Sequence, residues 1–360
     1  MPISAVDAIS PAFQHTKKQL IEPFRAGQWA KLALVGFLAG EVHSGGCSGG
    51  NFQMPTRTSG GDRFLDLGLS GMNPAAYAAL IALLVVAVLV LWVLFIYVNS
   101  VMRFVLFDSV VAKRCEIRQY WNRRQKPGLR YFAWQLLLFL VMMVGLTILV
   151  GIPAAFALAM GWLKQSSQHM VPLILGGVIL FFLVMTFAVL WLVVVVFSKD
   201  FVVPQMALED IGAMEAWQRL LPMLKSEKGG YAGYLGMKIV MAIGAAVIVG
   251  IAAMIIILLT LIPVGGVGAV LVLMGKSGGL HWNLYTITLA VVIGSFLLAF
   301  ILYVVSLVSV PAIVFFPAYS IHFFAARYPA LNAILHPAPP PPVEPPPTPP
   351  PFLSPEPSSY

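Results

Sequence analysis

Glu41, His43 and Cys47 come closest, in this sequence, to a cluster of residues that could do chemistry. A carboxylate, an imidazole and a thiolate are the ligand types that Zn²⁺ takes from proteins. The Gly- and Ser-rich run around Cys47 is, however, typical of a flexible loop. We therefore favour a polar loop that follows a helix and keep a metal site as the alternative.

The other patterns that resemble active sites are incomplete. A phosphate-binding loop at Gly275, Lys276 and Ser277 would need a glycine in the place of Val270. The remaining histidines, which form no pair at helical spacing, are His15, His169, His281, His322 and His336. We expect no catalytic residues, no cofactor and no enzymatic activity.

The composition excludes a soluble protein. Of the 360 residues, 59% are hydrophobic and 10% are charged, whereas about 25% of a typical soluble chain is charged. Several apolar runs exceed the roughly 18 residues that mark a membrane span. A soluble enzyme, a disulfide scaffold and a disordered protein are thereby excluded, and the sequence predicts an all-α, polytopic membrane helical bundle over residues 1–336.

Six segments predict transmembrane helices. They cover about residues 29–42, 76–98, 131–151, 171–197, 231–262 and 284–308. At about 1.5 Å per residue, the last five can each cross a hydrocarbon core of about 30 Å. The first is short, and by itself it would be re-entrant or interfacial. For its Gly36 and Gly40 we favour close packing against another helix of the same chain over a dimer interface.

Basic residues predict the orientation of these spans. If all six segments cross, 18 of the 22 lysines and arginines lie on one side, eight of them within residues 99–130. We therefore predict that the first segment crosses, that residues 41–74 are external, and that both termini are cytoplasmic in the cell (inner) membrane. The net charge of +8 is then a topology signal, and no nucleic-acid partner is expected.

The long spans contain almost no ionisable residues. Lys238 lies within two turns of a span end, where its side chain can reach the interface. Because ionisable residues inside a membrane usually mark ion or proton pathways, we do not expect proton-coupled transport. Binding of an apolar or lipid-like substrate needs no such charge.

A repeated unit surrounds the two basic loops. Trp121 follows Phe104 by 17 residues, and Trp217 follows Phe201 by 16. Each loop carries an amphipathic stretch, which is typical of a helix lying among anionic headgroups. The predicted membrane-interface residues are Trp121, Trp217, Arg114, Arg118, Arg123 and Arg124. The two chain ends together predict a third such unit, and this requires the first and sixth spans to be neighbours. The alternative is that the pattern at the chain ends is that of any hairpin with a basic loop.

The end of the chain, residues 337–360, has 13 prolines in 24 residues. Such a composition predicts an extended, disordered cytoplasmic tail. Its proline spacing could dock into an aromatic groove of a protein partner, and a solvated tail without a partner is the alternative.

Short motifs resemble a known group of membrane domains. They are Phe201-Val202-Val203-Pro204, Leu208-Glu209, Glu215-Ala216-Trp217 and Gly230-Tyr231, with Pro11-Ala12-Phe13, Pro23-Phe24, Trp29-Ala30 and Gly36-Phe37-Leu38 near the N-terminus. The group is bacterial and includes the membrane domain attached to some glycerophosphoryl diester phosphodiesterases, together with uncharacterised relatives. The resemblance implies a membrane module of unknown function. It implies no catalytic residues, since the phosphodiesterase chemistry of those relatives belongs to a separate soluble barrel.

These patterns favour a non-enzymatic membrane module that organises lipid or partners through its interfacial helices. The bilayer, with anionic lipid at its cytoplasmic face, is the expected partner. The alternative is a carrier for an apolar or lipid-like substrate, which a polar-lined cavity between the spans would favour. A membrane enzyme ranks third.

Overall fold

The computed structural model describes residues 4–41, 74–162, 170–277 and 284–337. Within these ranges all regular structure is helical, and no strand is present. The predicted all-α class is confirmed. Residues 42–73, with His43 and Cys47, and the proline-rich tail from residue 338 onward lie outside the described residues.

The helices follow one another in chain order. They are α1 (Ile9–Leu20), α2 (Ala26–Leu38), α3 (Pro74–Val111), α4 (Ile117–Leu146), α5 (Ile152–Ala159), α6 (Met170–Phe197), α7 (Val203–Glu209), α8 (Ala213–Ser226), α9 (Lys228–Ser277), α10 (Leu284–Val308), α11 (Val310–Ala325) and α12 (Pro329–Leu335). Two π-helical turns, Thr147–Gly151 and Ser198–Val202, join α4 to α5 and α6 to α7.

Among the described residues, five helical segments are long and apolar enough to cross a membrane. They are Ala78–Val111, Ile117–Ala159, Met170–Glu209, Lys228–Thr260 and Val291–Val308. Almost none of the residues in their most apolar stretches are buried inside the protein, as expected of side chains that face lipid. The helices α11 and α12, which meet at 119°, would add a sixth segment if they formed one broken span.

The first predicted span, residues 29–42, is not among these segments. Its helix α2 has 13 residues and is therefore about 20 Å long, short of the hydrocarbon core. It runs antiparallel to the end of α3, since the Gln28 amide donates to the Lys113 carbonyl and the Asn99 amide to the Leu38 carbonyl. Helix α2 thus lies beside residues 99–113, beyond the predicted second span.

The core lies where the helix ends and the short helices meet. Its largest fully buried side chains are mostly aromatic: Tyr131, Tyr231, Tyr234, Tyr319, Phe104, Phe201, Phe323 and Phe324. Tyr234 stacks on Tyr319 with their ring centroids 5.1 Å apart, and Phe201 packs on Phe324 at 5.2 Å. We call this part of the molecule the packed body.

The two ends of the described chain come together in the packed body. Helix α1 packs along α11, and the Tyr319 hydroxyl donates to the Ala5 carbonyl at 3.0 Å. Helix α2 packs on α10, where the Trp29 indole donates to the Leu307 carbonyl and the Ser306 hydroxyl to the Ala33 carbonyl. The predicted neighbourhood of the first and sixth segments is confirmed.

Gly36 permits the contact between α2 and α11. A Cβ atom at this position would lie 2.5 Å from Ile313 Cγ2, so packing within the chain explains this glycine. We expect Gly36→Ala to lower the free energy of unfolding by about 1–3 kcal/mol, because the added methyl group overpacks a buried contact. Detergent-induced unfolding of the purified protein measures this change.

The double variant Gly36→Ala/Ile313→Ala is the control for the overpacking at Gly36. Removing the isoleucine branches should make the two substitutions less destabilising together than the sum of their separate effects. Strictly additive effects would contradict a direct steric contact.

Candidate functional site: a buried charged cluster and an adjoining groove

Five charged residues from distant parts of the sequence converge in the packed body. They are Glu41 after α2, Arg103 in α3, Lys199 and Asp200 in the second π-helical turn, and Lys238 in α9. Glu41 and Asp200 are each 4% exposed, and Lys238 is 9% exposed. Of these five residues only Lys238 lies within one of the five long predicted spans, and spacing along the sequence did not predict that the five would meet. We call this group the charged cluster.

Two ion pairs organise the charged cluster. The Lys199 ammonium group donates to the Glu41 carboxylate, and the Lys238 ammonium group donates to the Asp200 carboxylate. The Tyr234 hydroxyl donates to the same Asp200 oxygen at 3.0 Å. The π-helical turn, an irregularity common at functional sites, thus gives the neighbouring Lys199 and Asp200 different partners.

Glu41 is therefore not where the sequence placed it. The sequence put Glu41 outside and Lys199 in a cytoplasmic loop, whereas their side chains are in contact. The contact puts Glu41 at the level of Lys199, so the predicted placement of these two residues on opposite sides of a membrane does not agree with the structure. Burial opposes the charged form of Glu41, but the nearby Lys199 and Arg103 outweigh it and lower the pKa of the carboxyl.

Arg103 is the cation left over in the charged cluster. The three cations and two carboxylates carry a formal net charge of +1. Arg103 donates from Nη1 to the Tyr131 hydroxyl at 3.1 Å, and within the described part of the chain its buried Nε has no hydrogen-bond partner. The Glu41 and Asp200 carboxylates lie near enough to act on its charge, but each of them is hydrogen-bonded to a lysine and not to Arg103.

A small cavity lies inside the charged cluster. It has a volume of about 30 Å³ and is lined by all five charged residues together with Ser320 and Phe316. A water molecule needs roughly 10–15 Å³ by this measure. The cavity is therefore large enough for about two water molecules.

An open groove adjoins the charged cluster on the outside of α3, α4 and α6. Its volume is about 260 Å³. Apolar side chains line its length: Phe95, Ile96, Leu138, Phe139, Met142, Trp191 and Val195. Polar side chains line the rest: Asn99, Arg103, Tyr131, Gln135 and Ser198. Arg103 borders both the cavity and the groove, so the groove joins an apolar surface to the charged cluster.

The metal-site alternative gains no support from the described residues. Glu41 belongs to the charged cluster, whereas His43 and Cys47 lie outside the described residues. Across residues 4–41, 74–162, 170–277 and 284–337, no group of three or more His, Cys, Asp or Glu residues could hold a metal ion.

The predicted membrane-interface arginines divide into two groups. Arg114, Arg118 and Arg123 are exposed. Arg124 is buried instead, where Nε and Nη2 form a two-pronged ion pair with Asp108 at 2.6 and 2.7 Å. Arg124 therefore faces protein, and its place among the lipid-contacting residues was wrong.

The two predicted interface tryptophans are half-buried against the packed body. Trp217 donates its indole N–H to Ser198 Oγ at 3.1 Å, and Trp134 donates to the same oxygen at 3.2 Å. Trp121 packs edge-on against Tyr97, with ring centroids 6.3 Å apart. The apolar faces of these helices are thus at least partly covered by protein, which periodicity alone does not distinguish from cover by lipid.

One family model matches residues 3–334, and its description is a family of unknown function, DUF7544. The chain belongs to DUF7544. No curated protein and no solved structure matches the chain. The expectation of an uncharacterised family is confirmed, and a link to the membrane domain of glycerophosphoryl diester phosphodiesterases is not shown.

A histidine cluster joins the two chain ends of this DUF7544 protein. His322 Nε2 lies 3.3 Å from His15 Nδ1, and His15 Nε2 lies 2.8 Å from the Val110 carbonyl oxygen. The His336 ring is 6.5 Å from that of His322. Spacing along single helices missed this cluster, since its members lie on α1, on α11 and after α12.

The histidine cluster predicts a loss of stability in mild acid. Burial, with smaller effects of His15, His336 and Lys113, lowers the pKa of His322 from 6.5 to about 4. The folded protein therefore keeps this ring neutral, while the unfolded chain takes up a proton below pH 6.5. The stability that depends on the neutral ring should be complete above pH 6.5 and lost as the pH falls toward about 4.

The measurement is the melting temperature in detergent between pH 7.5 and pH 4.5 (roughly the range over which His322 titrates in the unfolded chain). The variant His322→Gln has no ring to protonate at this position, so its melting temperature should fall less over the same range. Identical slopes for the variant and the unmodified protein would contradict the assignment.

Proposed function

We propose that this protein is a membrane-embedded module that binds one lipid-like molecule in the groove between α3, α4 and α6. The observation that carries the proposal is the amphiphilic lining of the groove, which is apolar along its length and polar beside the charged cluster. Such a groove supports the second function that the sequence favours, a carrier for an apolar or lipid-like substrate. It supports the binding of that substrate and says nothing about its transport.

The size of the groove indicates how such a molecule would lie. Pockets that enclose a whole drug-sized ligand have volumes of about 300–1,000 Å³, and the groove has about 260 Å³. The groove would therefore hold a headgroup-proximal part of the molecule, and the rest of its chain would stay in the bilayer. Lipid tails are as apolar as leucine side chains, so the polar end of the groove must supply most of the preference over bulk lipid.

Native mass spectrometry of the purified protein tests the proposal. We expect about one tightly held lipid-like molecule per chain after detergent exchange. Val195→Phe fills the groove and should reduce the retained fraction about fivefold or more, the effect of roughly 1 kcal/mol. Leu183→Phe adds the same ring to an exposed position of α6 and should leave retention unchanged. Equal retention in both variants would exclude the groove as the binding site.

A second candidate function is the organisation of bilayer lipid by the protein surface. It is favoured by Phe13 and Phe24, which are 62% and 63% exposed, and by the exposed Arg114, Arg118 and Arg123. Exposed apolar side chains and exposed cations are both features of surfaces that lie among anionic headgroups. Replacing these five residues by Ser and Gln should reduce labelling by a lipid-phase photoprobe and leave groove retention unchanged; unaltered labelling would exclude this function.

We also propose that the protein resides in the cell (inner) membrane with its basic loops and both termini in the cytoplasm. The packing of α1 and α11 in the same body as the residues after Asn99 supports this orientation. A membrane-impermeant thiol reagent should reach Ser4→Cys and Arg123→Cys only after the cells are permeabilised. Labelling of intact cells at either position would contradict this orientation.

A further inference from the structure

We infer that the groove selects lipids with an anionic headgroup, and that Arg103 is the residue that binds this headgroup. The inference rests on the proposed function and names the ligand class of the same site. Its starting point is the distribution of charges between the cavity and the groove, which share the Arg103 side chain.

The two lysines of the charged cluster already have counterions. Lys199 is paired with Glu41, and Lys238 is paired with Asp200. Arg103, in contrast, makes its hydrogen bond to a neutral group, the Tyr131 hydroxyl. The carboxylates of the cluster thus hydrogen-bond to the lysines, whereas the guanidinium group keeps N–H donors for a further anion: its buried Nε has no hydrogen-bond partner within the described residues.

Through the groove, an anion from outside the protein can reach the guanidinium group of Arg103. Both carboxylates of the charged cluster line the cavity, and neither lines the groove. Arg103 is thus the charged residue among the groove-lining side chains in the described part of the chain. An anionic headgroup would meet one positive charge, whereas the cationic part of a zwitterionic headgroup would meet no carboxylate there.

The chemistry and dimensions of the site agree with an anionic headgroup. A guanidinium group presents several N–H donors in a planar fork and forms charge-assisted hydrogen bonds with phosphate or carboxylate oxygens. The polar groups of Asn99, Gln135 and Ser198 line the same groove. The cavity, with about 30 Å³, is too small for a headgroup, so the anion would approach Arg103 from the groove.

The test is a competition between phosphatidylglycerol and phosphatidylcholine with the same acyl chains, added in equal amounts to the full-length protein in detergent and read by native mass spectrometry. We expect the anionic lipid to be retained about tenfold more, the effect of one or two charge-assisted hydrogen bonds. Arg103→Gln should reduce this preference to less than about threefold, while Arg103→Lys, which keeps the charge, should retain part of it. Arg219→Gln, at an exposed arginine of α8, is the matched control and should keep the full preference.

The outcomes separate this inference from the proposed function. Retention of both lipids without a preference, or a preference that survives in Arg103→Gln, would overturn the assignment of Arg103 and leave lipid binding in the groove intact. Retention of neither lipid would overturn the proposed function itself. Adding inorganic phosphate at a concentration equal to that of the lipid should not displace the lipid; displacement would show that a free anion is the ligand and would overturn the lipid headgroup as its source.

Discussion

Arg124→Gln is expected to lower the free energy of unfolding by about 3–5 kcal/mol, because it leaves a buried carboxylate without its counterion. Arg124 binds Asp108 through two hydrogen bonds, and both side chains are 11% exposed. Its Nη1 also donates to the Ala207 carbonyl at 2.6 Å, so one side chain joins α4 to α3 and α7. Unfolding of the purified protein in mixed micelles, followed by circular dichroism, measures the change.

The neighbouring residue supplies the control for Arg124. Arg123 is exposed, and Arg123→Gln should change the free energy of unfolding by no more than about 0.5 kcal/mol. The double variant Asp108→Asn/Arg124→Gln removes both charges and should recover part of the stability lost in the single variant. Equal stability of Arg124→Gln and Arg123→Gln would show that Arg124 does not act through this ion pair.

Asp200→Asn is expected to have an effect of the same size, about 3–5 kcal/mol, because Lys238 would remain buried and charged without an anion. The substitution preserves the shape of the side chain and removes the charge that accepts from both Lys238 and Tyr234. Asp200 and Lys238 are 4% and 9% exposed, so water would not readily replace the lost contact. The same unfolding measurement applies.

Asp210 provides a matched carboxylate for comparison with Asp200. Its side chain is 70% exposed and pairs with Arg130 on the surface. Asp210 has a positive φ of 54°, a conformation that asparagine also tolerates, so Asp210→Asn should cost less than about 0.5 kcal/mol. Recovery of stability in Asp200→Asn/Lys238→Met would show that the uncompensated charge, and not the lost shape, destabilises the single variant.

The helical class and the long apolar helices followed directly from the sequence. Apolar character along a run such as residues 171–197 is a local property, and the structure has a helix at Met170–Phe197. The repeat around Trp121 and Trp217 also suggested that each chain end carries half of a third unit, but it did not distinguish this from an ordinary hairpin with a basic loop. The contact of Ser306 with Ala33 joins these halves.

The candidate site was not predictable from the same patterns. Lys238 was interpreted as a side chain that reaches the membrane interface, and in the structure it is paired with Asp200. The amphipathic pattern around Arg124 shows which face of the helix is apolar, and we interpreted that pattern as a helix lying in the headgroup layer. Whether lipid or another helix covers that face depends on the arrangement of the whole chain, and for Arg124 the neighbour is Asp108.

The sequence by itself determined that this protein is a membrane-associated helical bundle, and it offered the meeting of the chain ends as one of two interpretations. Hydropathy and helical periodicity are properties of runs of about twenty residues, so they can be interpreted without knowledge of the tertiary structure. The tertiary structure alone decided the charged cluster, where Glu41 meets Lys199 across 158 residues of sequence. Such a pair exists because burying one charge requires an opposite charge in contact, and the partner is set by how the helices pack and not by proximity along the chain.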